Sequence, residues 1–179
     1  NHATRDSIWV VTWKKDSGRP YVGYDEIVDQ CICFGWVDSL PRRLDEQRTM
    51  LRISPRNPKS HWSRVNKRRV AALMQAGLMQ PQGLALVELA RRNGTWDFLN
   101  DVEDLIIPPD LADALGRYPR ASFYFERFPR SSKRGILEWI KMARTAATRA
   151  KRIELTASQA ARNLKANHPK GRDAGPPEK

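Results

Sequence analysis

A chain of 179 residues with 40% hydrophobic content is long enough to bury a core and is ordinary for a globular protein. No apolar run approaches the roughly 18 residues of a membrane-crossing helix, which excludes such a helix from the sequence. The net charge of +12 sits in two blocks, ten basic and two acidic side chains in residues 42–69 and fifteen and three in residues 117–172. Such blocks suit nucleic acid, anionic lipid or an acidic partner, although a solvated surface is their commonest meaning.

The start, NHATRDSIWVV, enters a strand-like run at once, so no secretory signal is visible and its absence says little about location. Cys31 and Cys33 match neither a C-x-x-C pair nor a zinc knuckle. They read as buried thiols of a reducing compartment, which points to the cytoplasm. His2, His61 and His168 stand singly, without ligand spacing, so neither a metal nor another cofactor is expected.

SIWVVTWKK (Ser7–Lys15) is rich in β-branched and aromatic residues and ends at the turn signal DSGRP, which predicts a strand. YDEIVDQCICFG opens with acids and closes on Gly35, the pattern of a helix. WVDSL (Trp36–Leu40) and RTMLRIS (Arg48–Ser54) predict two further strands, joined by the polar PRRLDEQ. From Ser60, the expected N-cap, the pattern turns helical, and a 3.6-residue period puts Trp62, Val65, Val70 and Leu73 on one arc. Asn66 and Arg69 fall inside that arc, and Arg64, Lys67 and Arg68 face away.

Further helices are predicted in PQGLALVELARRNG, PPDLADALGR, YPRASFYFERF and SSKRGILEWIKMAR. The last helix, TAATRAKRIELTASQAARNL, carries a seam of mostly small residues: Ala146, Ala150, Ile153, Ala157, Ala160 and Leu164. The fold class is therefore α+β, a small antiparallel sheet with one helix followed by a mostly helical half. The expected divisions are an α+β part over residues 1–76, a helical module over 77–164 packed on it, and an unfolded tail over 165–179.

Two stretches together resemble the YdeI/OmpD-associated proteins, a bacterial family also called bacteriocin-protection proteins. CFGWVDSLPRRLDEQRTMLRISPRNPKSHWSRVN (Cys33–Asn66) carries a Cys-Phe-Gly-Trp-hydrophobic-Asp run with Gly35, Trp36 and Asp38, then a Leu-Asp pair at Asp45, then Pro-Arg, Ser-x-Trp-Ser and Asn. EWIKMARTAATRAKRIE (Glu138–Glu154) is similar to the family's C-terminal helical module, to which PPDLADALGR also belongs. The resemblance reaches to about residue 160. Ile53-Ser54 stands where Phe-Thr is usual, and an Ala-Ala pair replaces a common Pro-Glu. It implies a role in antimicrobial-peptide or stress tolerance without a known reaction, and some family descriptions expect the periplasm.

No G-x-S-x-G, phosphate loop, histidine–carboxylate arrangement or metal spacing is readable. The residues therefore favour a non-enzymatic binding protein over an enzyme of unrecognised class. Arg48 and Arg52 share one face of a predicted strand and Arg56 follows Pro55. If that strand ends beside the start of the Ser60 helix, Arg48 and Arg56 meet free backbone N–H groups near Ser60 and Ser63, a seat for phosphate or carboxylate walled by Trp62. Asn66 is expected to bond the backbone of residues 54–60. The alternative for this stretch is an Arg48–Asp45 pair with a core Trp62. Weak nucleic-acid binding through Arg64, Lys67 and Arg68 or through Arg144, Arg149, Lys151 and Arg152 is the other class. A small anion or a protein is the expected partner, and the oligomeric state is left open.

Overall fold

The computed structural model describes residues 5–167. The fold is α+β, and the chain divides into two compact units, the first ending at Leu99 and the second beginning at Asn100.

In the first unit, β1 (Ile8–Trp13), β2 (Trp36–Arg43) and β3 (Arg48–Pro55) form an antiparallel sheet in the order β1-β3-β2. Expected as three short strands, they differ mainly in β2, which runs on through Pro41 past a bulge between Asp38 and Pro41. Pro41 lies on an edge strand, where proline is accommodated. The connection to β3 shrinks to residues 44–47, tied by Asp45 Oδ1, which accepts the backbone N–H groups of Gln47 and Arg48.

The helix α1 (Tyr24–Cys33) begins where the Glu26 carboxylate accepts the Gly23 N–H at 2.9 Å. It stops at Gly35, whose φ of 74° is the left-handed conformation that ends helices. Its buried residues Val28, Ile32 and Cys33 form one core cluster with Val70 and Leu73 of α2 (Arg64–Gln75) and Val87 and Ala90 of α3 (Pro81–Arg92), and Trp62 belongs to the same cluster. α3 approaches α1 so closely that a Cβ on Gly83 would lie 2.3 Å from the Cys33 carbonyl oxygen. This helix, expected in the C-terminal module that begins at residue 77, thus packs with the sheet unit.

The second unit contains α4 (Asn100–Glu103), α5 (Pro109–Arg117), α6 (Ala121–Arg127), α7 (Arg130–Lys141) and α8 (Ala146–Ala160). Its core holds Leu111, Ala114, Phe125, Ile136, Ile140, Ile153 and Ala157. Thr145 caps α8 by accepting the Thr148 N–H at 3.1 Å. The expected seam is buried at Ile153, Ala157 and Ala160, while Ala146 and Ala150 are exposed and Leu164, past the end of α8, is half-buried. Ala166, expected within the unfolded tail, is buried. The rest of that tail, from His168, lies outside the described residues, as does His2. Among the described residues, no helix is long and apolar enough to cross a membrane.

Candidate functional site

The stretch Pro55–Arg69 leads from the end of β3 into α2. Ser63, not Ser60, caps the helix: its Oγ accepts the Asn66 N–H at 3.3 Å, and the helix starts at Arg64. Ser60 sits in the preceding turn, its N–H donating to the Asn57 carbonyl at 2.9 Å. Both serines of Ser-His-Trp-Ser satisfy the local preference for a cap. Trp62, buried against Trp96 with ring centroids 5.3 Å apart, sets which one is used. Asn66 serves the cap through its backbone. The bond to the loop expected of its side chain comes from Asn93, whose Nδ2 donates to the Pro58 carbonyl at 3.2 Å.

Arg56 is 8% exposed. Its guanidinium carbon stacks 3.9 Å from the Trp62 ring centroid, and Nη2 donates to the His61 carbonyl at 2.6 Å. Nε is buried with no hydrogen-bond partner, and no carboxylate is bonded to the group among the described residues. Burial lowers its pKa below the usual arginine value, as expected for a cation taken out of water without a counter-charge.

Arg48 does not join it. The two lie at opposite ends of β3, roughly 25 Å apart along a strand rising about 3.3 Å per residue. Arg48 instead pairs with Asp45 at 2.7 Å and lies over Trp13. This arginine holds the Asp45 carboxyl below the usual carboxylate range. The combined site with both arginines is therefore corrected to a cluster of Arg56, Trp62 and the Ser60–Ser63 turn. Asp38, in the Gly35–Trp36–Asp38 run, accepts the Tyr24 hydroxyl at 2.6 Å and pushes its pKa up to about 12. Trp36 is buried, and the Gly35 carbonyl accepts the Arg56 N–H at 2.9 Å.

The basic flanks are also partly engaged. Lys67, expected to be solvated, lies 5.4 Å from the Trp96 centroid and 3.4 Å from Asp97. Arg149 makes two bonds to Asp110, and Arg152 donates to the Trp139 carbonyl while lying over its ring. These contacts take two of the four cations of the C-terminal run.

Between α1 and the sheet opens a cleft of about 340 Å³ that motif reading misses. Ile8, Val10 and Ile53 supply its sheet wall, and Ile27, Cys31 and Phe34 its helix wall. Glu26 and Gln30 add the polar groups. Burial, and then the charge of Asp38, raises the Cys31 thiol to about 11. Strand alternation puts Ile8, Val10 and Ile53 on one face, and the packing of α1 makes that face a cleft wall.

Residues 1–86 match a domain of unknown function (DUF8412), and residues 104–163 match the model described as bacteriocin-protection, YdeI or OmpD-associated. Cys33–Asn66, expected to belong with the second family, falls within the first match. No curated protein and no solved structure matches.

Proposed function

We propose that this chain is a non-enzymatic binding protein of the YdeI/OmpD-associated type that takes an apolar group of its ligand into the cleft under α1. The observation that carries the reading is the cleft itself: its size falls in the range of small-ligand pockets, and its walls are apolar with few polar groups. Glu26 beside it disfavours an anionic ligand and suits a neutral or basic amphiphile. An apolar side chain of a basic peptide fits that description, in keeping with the bacteriocin protection named for the family matched at residues 104–163. The test is titration with decanol, decylamine and decanoate, followed by the fluorescence of Trp36, which also lines the cleft. Decanol and decylamine should bind more tightly than decanoate, and Ile53→Trp, which fills the cleft, should abolish both. Undiminished binding to a folded Ile53→Trp variant sinks the proposal.

A second reading rests on Arg56, whose buried guanidinium has an unsatisfied Nε and no carboxylate bonded to it. A phosphate or carboxylate reaching the turn at Ser60 and Ser63 would compensate that charge. Thermal stabilisation by inorganic phosphate that is lost in Arg56→Met but kept in Arg68→Ala supports it, and equal responses in the two variants dispose of it.

A further inference from the structure

The sheet has a second face. Strand alternation sends Val10, Leu51 and Ile53 toward α1, and therefore Trp9, Val11 and Trp13 of β1 to the opposite side. Register places Arg52 across from Trp9, Met50 across from Val11 and Arg48 across from Trp13, with Arg42 of β2 across from Met50. This face is open: Trp9 is 39% and Val11 47% exposed, Trp13 is half-buried, and the three arginines are exposed. Arg42 lies 5.3 Å from the Trp9 ring centroid, and Arg48 and Arg19 each 5.7 Å from that of Trp13. Arg42 and Arg52 are bonded to no carboxylate among the described residues, and Arg52 reaches only the Ser7 hydroxyl at 3.2 Å.

We propose that this face binds single-stranded nucleic acid, with bases stacking on Trp9 and Trp13 and phosphates meeting Arg19, Arg42 and Arg52. The two indoles lie about 13 Å apart along β1, four residues at 3.3–3.4 Å each, which leaves room for a separate base on each ring. Cations interleave with the aromatics, the combination that single-strand platforms use: a positive track for the backbone and rings for the bases. The arginine–indole contacts are exposed and long, so they are weak beside a base stacked on the same ring. A duplex offers no free base faces to such rings. The basic flank of α2 lacks this arrangement, because its nearby indoles are taken up by the core, Trp62 buried in it and Trp96 packed against it.

The experiment is a fluorescence-anisotropy titration of the full chain with a labelled single-stranded oligothymidylate. Trp9→Leu and Trp13→Leu should each weaken binding about tenfold or more, from the usual worth of one base stack. Trp9→Phe, which keeps a ring, should stay close to the parent protein. With three phosphate contacts at a slope of about −0.7 each, affinity should fall roughly twentyfold between about 50 and 200 mM salt. Arg52→Ala should reduce the slope by about 0.7, and Arg68→Ala on α2 should not change it. The proposal is overturned if the leucine variants bind like the parent, if Arg68→Ala loses as much as Arg52→Ala, or if a duplex competes equally. Tryptophan-dependent binding to phosphatidylserine vesicles with no binding to the oligonucleotide would assign the face to membrane and overturn it as well. Circular dichroism of each variant separates a lost site from a lost fold.

Discussion

Gly83→Ala and Gly135→Ala are the same substitution inside two helices, and the structure gives them opposite signs. Alanine is preferred over glycine in a helix interior by about 1 kcal/mol. At Gly135, midway along α7, an added Cβ meets nothing within 4 Å, so stability should rise by up to about 1 kcal/mol. At Gly83 the Cβ would lie 2.3 Å from the Cys33 carbonyl oxygen and 2.6 Å from that of Ile32. Reaching even a 3.0 Å contact moves the end of α1 away from α3 by about 0.7 Å. Overpacking of that kind costs about 1–3 kcal/mol. The Gln80 N–H bond to the same Cys33 carbonyl, 3.1 Å long, is worth about 1 kcal/mol more. Set against the helix gain, Gly83→Ala should lose about 1–3 kcal/mol, measured by urea unfolding followed by circular dichroism and tryptophan fluorescence. Because α1 forms one wall of the cleft, decanol affinity should fall with it. A Gly83→Ala protein at least as stable as the parent would falsify the close approach of α1 and α3.

Arg56→Met should leave stability within about 1 kcal/mol of the parent, because relief of a buried charge offsets the lost carbonyl bond and ring contact. A loss above about 3 kcal/mol in thermal or urea unfolding would mean that the guanidinium is well compensated where it sits. In a Cys33→Ala background, Cys31 should react with iodoacetamide at pH 8 about a hundredfold more slowly than a free thiol, since a thiol raised to about 11 holds little thiolate. Mass spectrometry reads the rate, and decanol in the cleft should slow it further. Arg149 holds the Asp110 carboxyl below its usual range, so the pair's stability is present above the unfolded value near pH 3.9 and is lost as pH falls through the lower folded value. Asp110→Asn should therefore cost no more than about 1 kcal/mol at pH 7 for this part-exposed pair, and the difference from the parent in thermal melts should close in acid.

Local signals carried the elements, because they act within a few residues. The acid-first, glycine-last pattern of α1, the β-branched run of β1 and the proline starts of α3 and α5 each mark a structure formed by neighbouring backbone groups. Even the separation of Arg48 from Arg56 was legible: an eight-residue strand at about 3.3 Å per residue keeps its ends apart. What local patterns left open were choices between two locally equivalent states. Ser60 and Ser63 are both good caps, and burial of Trp62 against Trp96 selects the second. Lys67 lies on a polar helix face by period alone, yet Trp96, far along the chain, turns that face into a contact. Alternation divides β1 into two faces without saying which is covered. Packing of α1 decides it, leaving Ile8 and Val10 beside a cleft, Trp9 open to solvent and Trp13 half-buried among arginines. The tertiary structure decides these because each depends on a partner brought close by the fold, a distance that no local period encodes.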